Sequence, residues 1–188
     1  MHQLAIITAI RQLFTREEEL PASEALKKTP IISILNRILQ LEANEEEFYF
    51  IKLEALWLLI SLSMADSDNL KLMLLSSYPE GTDQPDQSQI DQNEAERDFE
   101  RNKSQVLIGV ESMLKFGLNN LDGADMKVLH MVAHLYANLV VTAPEFVHKV
   151  LRETSMLHML HYILANDLLN ASEPSFVNSV VNMLLHLA

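Results

Sequence analysis

The sequence contains no cysteine, and that absence removes several chemistries at once. Disulfide frameworks, thiolate zinc centres and cysteine nucleophiles are excluded, and a reducing cytosolic or nuclear setting is the compartment expected. Glycine is scarce too, with four residues in 188 and only six prolines, so long periodic stretches run with little punctuation. There is no Gly-rich phosphate loop and no Gly-x-Ser-x-Gly elbow, so neither catalysis nor a bound cofactor is expected. Positive charge is the third shortage. Fourteen Lys and Arg face 26 Asp and Glu, a formal net charge of −12. A field of that sign disfavours nucleic-acid phosphates and favours basic partners. The bases are dispersed apart from Lys27-Lys28, which leaves no nucleic-acid footprint. Long apolar runs are missing as well. The most apolar stretch, residues 55–65, is too short to span a bilayer, and Met1-His2-Gln3 lacks the basic start of a signal peptide. Neither a membrane segment nor a leader is expected.

What the chain does have is helical periodicity. Leu4, Ile6, Ile7, Ile10, Leu13 and Phe14 form one apolar stripe, followed by the acidic run Glu17-Glu18-Glu19. Pro21 suits a first helical turn, which predicts a short helix over 22–28. Pro30 restarts the chain, and Ile31, Ile34, Leu35, Ile38, Leu39 and Leu41 give the spacing of a buried face. Asn44 before Glu45, Glu46 and Glu47 marks another helix start, running to about residue 65. A short helix is expected over 68–77. Short, medium and long helices in that order make a three-helix unit of about 40 residues, the period of an armadillo-type solenoid.

Composition breaks over residues 78–103. Pro79, Gly81, Pro85 and four glutamines appear there, with eight acids against three bases, a net −5. Too few apolar residues remain to offset ordering, which predicts a disordered acidic insertion. Periodicity resumes at Val106, Leu107, Val110, Met113, Leu114 and Leu118. Helices are then expected over 126–142, from Pro144 to about 154, over 156–164 and over 175–187. The expected architecture is therefore all-α, a right-handed armadillo-type α-solenoid of about three partial repeats. Residues 1–77 hold the first unit with the last helix of a preceding one. Residues 78–103 are the insertion, and 104–188 hold the second and third units. The chain ends inside an apolar run without a polar capping repeat, which suits a fragment of a longer solenoid or an end covered by a partner.

Residues 3–64 resemble the amino-terminal armadillo repeats of importin-α, the adaptor family that carries basic nuclear localisation signals. The likeness rests on Ala9 to Glu17 before a proline, on the Pro21 helix, on Ile31 to Leu39, and on Glu54-Ala55-Leu56-Trp57. It continues more weakly through 128–142, 144–152, 156–165 and 177–188. The resemblance implies that the last helix of each repeat lines a groove through Trp-x-x-x-Asn, with Trp faces receiving Lys or Arg stems and Asn holding the peptide backbone. In this chain the corresponding pairs are Trp57/Ser61, His134/Asn138 and Asn182/His186. No pair is intact, so a basic localisation signal is expected to bind weakly, and protonated His134 to oppose it.

The candidate peptide-binding residues are accordingly Phe50, Glu54, Trp57, Ser61, His130, His134, Asn138, Asn178, Asn182 and His186. Trp57 beside Glu54 is a seat for a partner's Lys or Arg through cation–π contact and charge; alternatively Trp57 fills space between adjacent helices. His130 and His134 share a helix face, yet no third ligand is in view, so a polar stripe with Asn138 is expected in place of a metal site. His158 and His161 sit on another helix. The function expected is an importin-α-like adaptor that binds a basic or extended peptide of a protein partner. The alternative is a structural scaffold with an empty groove inside a larger assembly.

Overall fold

The computed structural model describes residues 2–16, 30–41, 46–64, 104–118, 125–170 and 172–188. Among these residues there are eight α-helices, one 3₁₀ turn and no strand. They are α1 (His2–Arg16), α2 (Ile31–Leu39), α3 (Glu46–Ser63), α4 (Gln105–Leu118), α5 (Met126–Thr142), α6 (Val147–Glu153), α7 (Met156–Ala165) and α8 (Pro174–Leu187). The fold is all-α, and each helix starts and stops within two residues of its periodic stretch, save the start of α6, which a 3₁₀ turn displaces. The helices expected over 22–28 and 68–77, and the insertion at 78–103, lie outside the described residues.

Local chemistry explains the boundaries. Asp125 caps α5 by accepting the Val128 N–H at 3.1 Å. The same helix stops at Ala143 because the residue before a proline is pushed out of the helical region, and the chain turns through Pro144–Phe146 into α6. Pro174 opens α8, where its missing N–H costs nothing.

The helices pack in two tiers. In one, α1 lies on α3, α3 on α5 and α5 on α8, forming a continuous row. In the other, α2 lies on α4. Contacts of α2 with α3 and of α4 with α5 join the tiers, so helices from either side of the acidic segment share one core. Buried apolar residues run through it from Ile7 to Met183. Gly109 lets α2 and α4 approach closely, since a Cβ there would lie 2.7 Å from Asn36 Oδ1 and 3.1 Å from Leu39 Cδ1. Helix α5 is the hub, and its residues from Val128 to Val140 are buried except at 130, 134 and 138. Among the described residues no single helix is long and apolar enough to cross a membrane; α5 with the following Pro144–Glu153 passes only as a pair bent by 110°.

Candidate functional site

Each helix of the row leaves one stripe uncovered, and the candidate residues fall on these stripes. On α3 the positions 50, 54, 57, 61 and 64 recur every three or four residues, so they share a face. Phe50, Trp57 and Met64 are exposed there, with Trp57 open over 41 % of its surface. On α5 the same spacing gathers Lys127, His130, His134, Asn138 and Val141, of which Lys127 and Val141 are exposed and the other three half-buried. On α8 it gathers Asn178, Val181, Asn182, Leu185 and His186, all exposed. Trp57 therefore stands at the surface, although it is the one tryptophan of a strongly apolar helix.

The stripe residues divide into two groups by what they touch. One group bridges neighbouring helices of the row. Glu54 on α3 receives the Arg11 guanidinium of α1 at 2.5 Å, both side chains being about three-quarters buried. Asn138 on α5 donates its amide to Ser63 Oγ of α3 at 2.9 Å. His130 on α5 lies 3.1 Å from Ser175 Oγ of α8, its ring edge against Phe176 and its Nδ1 4.0 Å from Glu173. Every junction of the row thus carries a polar bridge, the one between α3 and α5 ending on the buried Ser63. Ser61 is also occupied, since its hydroxyl donates to the Trp57 carbonyl one turn back and is buried. The second group is open. Phe50 and Trp57 offer aromatic faces, and among the described residues no hydrogen bond engages the Asn178 and Asn182 side chains; His186 Nδ1 meets the Asn182 backbone carbonyl at 2.9 Å.

Sequence reading placed the stripes but did not pair Arg11 with Glu54, Ser63 with Asn138 or Ser175 with His130. Those partners lie 43, 75 and 45 residues apart, beyond any local spacing rule. It also missed a polar cluster at the head of α3 and α5. There Tyr49 donates its hydroxyl to Asp125 at 2.7 Å, and burial, then the Asp125 hydrogen bond and charge, raise the phenol's pKa. Lys52, buried alongside, holds its ammonium 5.6 Å from the Phe116 ring centre, and burial lowers its pKa.

His134 carries the electrostatic signature of the stripe. Burial first, then the charge of His130, lowers its pKa below the ordinary 6.5. The unfolded chain therefore binds this proton before the folded one does. Stability supported by neutral His134 is complete above pH 6.5 and is lost as pH falls from there toward the lower folded value. Melting temperatures measured from neutral pH to about pH 5 should fall less steeply in His134→Asn than in the natural chain. Equal slopes would show that the ring titrates without regard to folding. Among the described residues no three His, Asp or Glu side chains converge as a metal ion would require.

Comparison with protein-family models, with curated proteins and with solved structures gave no match to the chain.

Proposed function

We propose that this chain is an importin-α-like armadillo-repeat adaptor, a right-handed solenoid of about three partial repeats that works in the cytosol or nucleus. It holds an extended segment of a protein partner along the open edge of the row α1–α3–α5–α8. The reading is carried by one observation: Trp57 and Phe50 stay exposed on a helix whose aliphatic residues from Ile51 to Leu62 are all buried. An exposed aromatic pair on such a helix is a surface kept for contact. The tiers support the solenoid reading, because α3, α5 and α8 each close a helical unit in the chain and α2 and α4 each occupy its middle. A row of last helices lies side by side in such a stack.

A scaffold with nothing in the groove is the second reading, and the three bridges favour it, since they lock helix to helix and use residues that a peptide would otherwise meet. Trp57→Ala separates the two. With this much of the indole already in water, its loss should cost about 1 kcal/mol of stability or less, well short of a core aromatic. Titration of peptides against the single tryptophan's emission should then show binding in the natural chain. Binding by Trp57→Ala, followed by calorimetry, should be at least tenfold weaker. A folding defect on the scale of a buried aromatic, with no peptide response in the natural chain, would establish the scaffold.

A further inference from the structure

The open edge is apolar and charge-compensated, which bears on what kind of segment it takes. This inference rests on the groove reading above. The carboxylate beside Trp57 is already neutralised by Arg11, so the seat that a partner's Lys or Arg would use is filled by the chain itself. The described edge offers one other carboxylate, Glu173, which lies beside His130 at the head of α8. Lys127 heads the α5 stripe as an exposed cation, and His130 and His134 below it can only add positive charge. Among the described residues a basic ligand meets an exposed carboxylate at Glu173, at the head of α8 and two helices along the row from Trp57, but not at Glu54 beside the indole, and an acidic one faces the field of a chain at −12.

What remains open is apolar or amide. Phe50, Trp57 and Met64 on α3, Val141 on α5, and Val181 and Leu185 on α8 are exposed on their stripes. Between the apolar positions of α8 stand Asn178 and Asn182, exposed carboxamides that each donate and accept. An apolar shelf interleaved with carboxamides is complementary to an extended backbone: the amides meet alternate N–H and C=O groups, and apolar side chains lie on the shelf.

We infer that the row selects an uncharged, extended peptide segment with alternating apolar side chains, and discriminates against the basic segments that the family resemblance implies. Arg11 is then a specificity device: by holding Glu54, it withholds the carboxylate that a Lys or Arg would need.

The test uses the full chain and three end-blocked synthetic peptides of equal length: one alternating Val/Leu with Ser/Thr, one rich in Lys/Arg, and one rich in Asp/Glu. Trp57 emission and calorimetry are followed at low and at high salt. The neutral peptide should bind tightest and shift the emission to the blue, with affinity constant within about twofold across the salt range. Replacing both Asn178 and Asn182 by Ala should weaken it about tenfold without moving the melting temperature. Arg11→Gln should release Glu54 and raise affinity for the Lys/Arg peptide several-fold, in a salt-sensitive manner, while Arg11→Gln with Glu54→Gln should not. Tightest binding of the basic or the acidic peptide to the natural chain would overturn this inference and leave the groove reading standing. No response to any of the three would overturn both.

Discussion

Phe176→Ala should cost about 3–5 kcal/mol, the largest single loss expected in this chain. The ring is 1 % exposed, sits in the first turns of α8 and meets the edge of His130 at 5.5 Å between centres. Helix α8 rests chiefly on α5, so Phe176 at its head and Val180 and Met183 further along are what hold it. Removing the ring leaves a cavity at the anchored end and leaves the His130 edge without its aromatic neighbour. The loss should be local before it is global, since a helix held chiefly by one neighbour opens at lower free energy than the hub. Hydrogen exchange should show protection falling first over residues 174–187, with α5 still protected, and chemical denaturation should move to lower midpoints. The functional consequence follows from position. Asn178 and Asn182 ride on α8, so a loosened helix should weaken peptide binding in step with its opening. Asn182→Ala, by contrast, should weaken binding while leaving stability within about 0.5 kcal/mol. If Phe176→Ala unfolds the whole chain in one transition with α8 no less protected than α5, then α8 is part of the cooperative core.

The helices were legible because the signals that specify them are local. Proline at positions 30 and 144 and apolar stripes at three- and four-residue spacing each act within one or two turns. Which helix meets which was only partly legible. The row α1–α3–α5–α8 is what a repeating unit would give, whereas the bridges between its members follow from three-dimensional placement. Ser61 illustrates the limit. Its spacing from Trp57 sets it on the same helix stripe, yet a serine four residues beyond a carbonyl can turn back to that carbonyl, and here it does. Glu54 illustrates it again: the sequence shows a carboxylate one turn from a tryptophan, and only the packing of α1 on α3 shows that Arg11 already holds it. Trp57 went the other way. Periodicity alone left it equally a core or a surface residue, and its exposure, which depends on helices far away in sequence, places it at the surface.

Glu153→Ala should destabilise the chain by about 3 kcal/mol, because one buried carboxylate serves two helices. Its side chain is 2 % exposed; Oε1 receives the Lys149 ammonium at 2.7 Å, and Oε2 receives the Ser104 N–H at 3.1 Å. Ser104 precedes α4, and its carbonyl accepts the first helical bond there, from Ile108 at 3.0 Å. A carboxylate on the N–H of the capping residue is half of a capping box, here supplied by a helix 49 residues away. Helix α4 returns the favour. Its Glu111 receives the Ser155 N–H at 2.8 Å and the Ser155 hydroxyl at 2.6 Å, at the start of α7. The end of α6 thus caps α4, and α4 caps α7. Each carboxylate also faces the positive end of the helix that it caps. Glu111→Ala should cost somewhat less, about 2 kcal/mol, since its side chain is 15 % exposed. The two losses should not add: once α4's start is frayed, Glu111 one and a half turns on is no longer held against Ser155. A double-mutant cycle should therefore show coupling of about 0.5–1 kcal/mol. Glu153→Gln keeps the shape and one acceptor but loses the charge, so its cost should fall between those of the natural chain and Glu153→Ala. Because α4, α6 and α7 stand outside the row, peptide affinity per folded molecule should be unchanged in all of these variants. A cost below about 1 kcal/mol for Glu153→Ala would show that water or a neighbouring side chain caps α4 in its place.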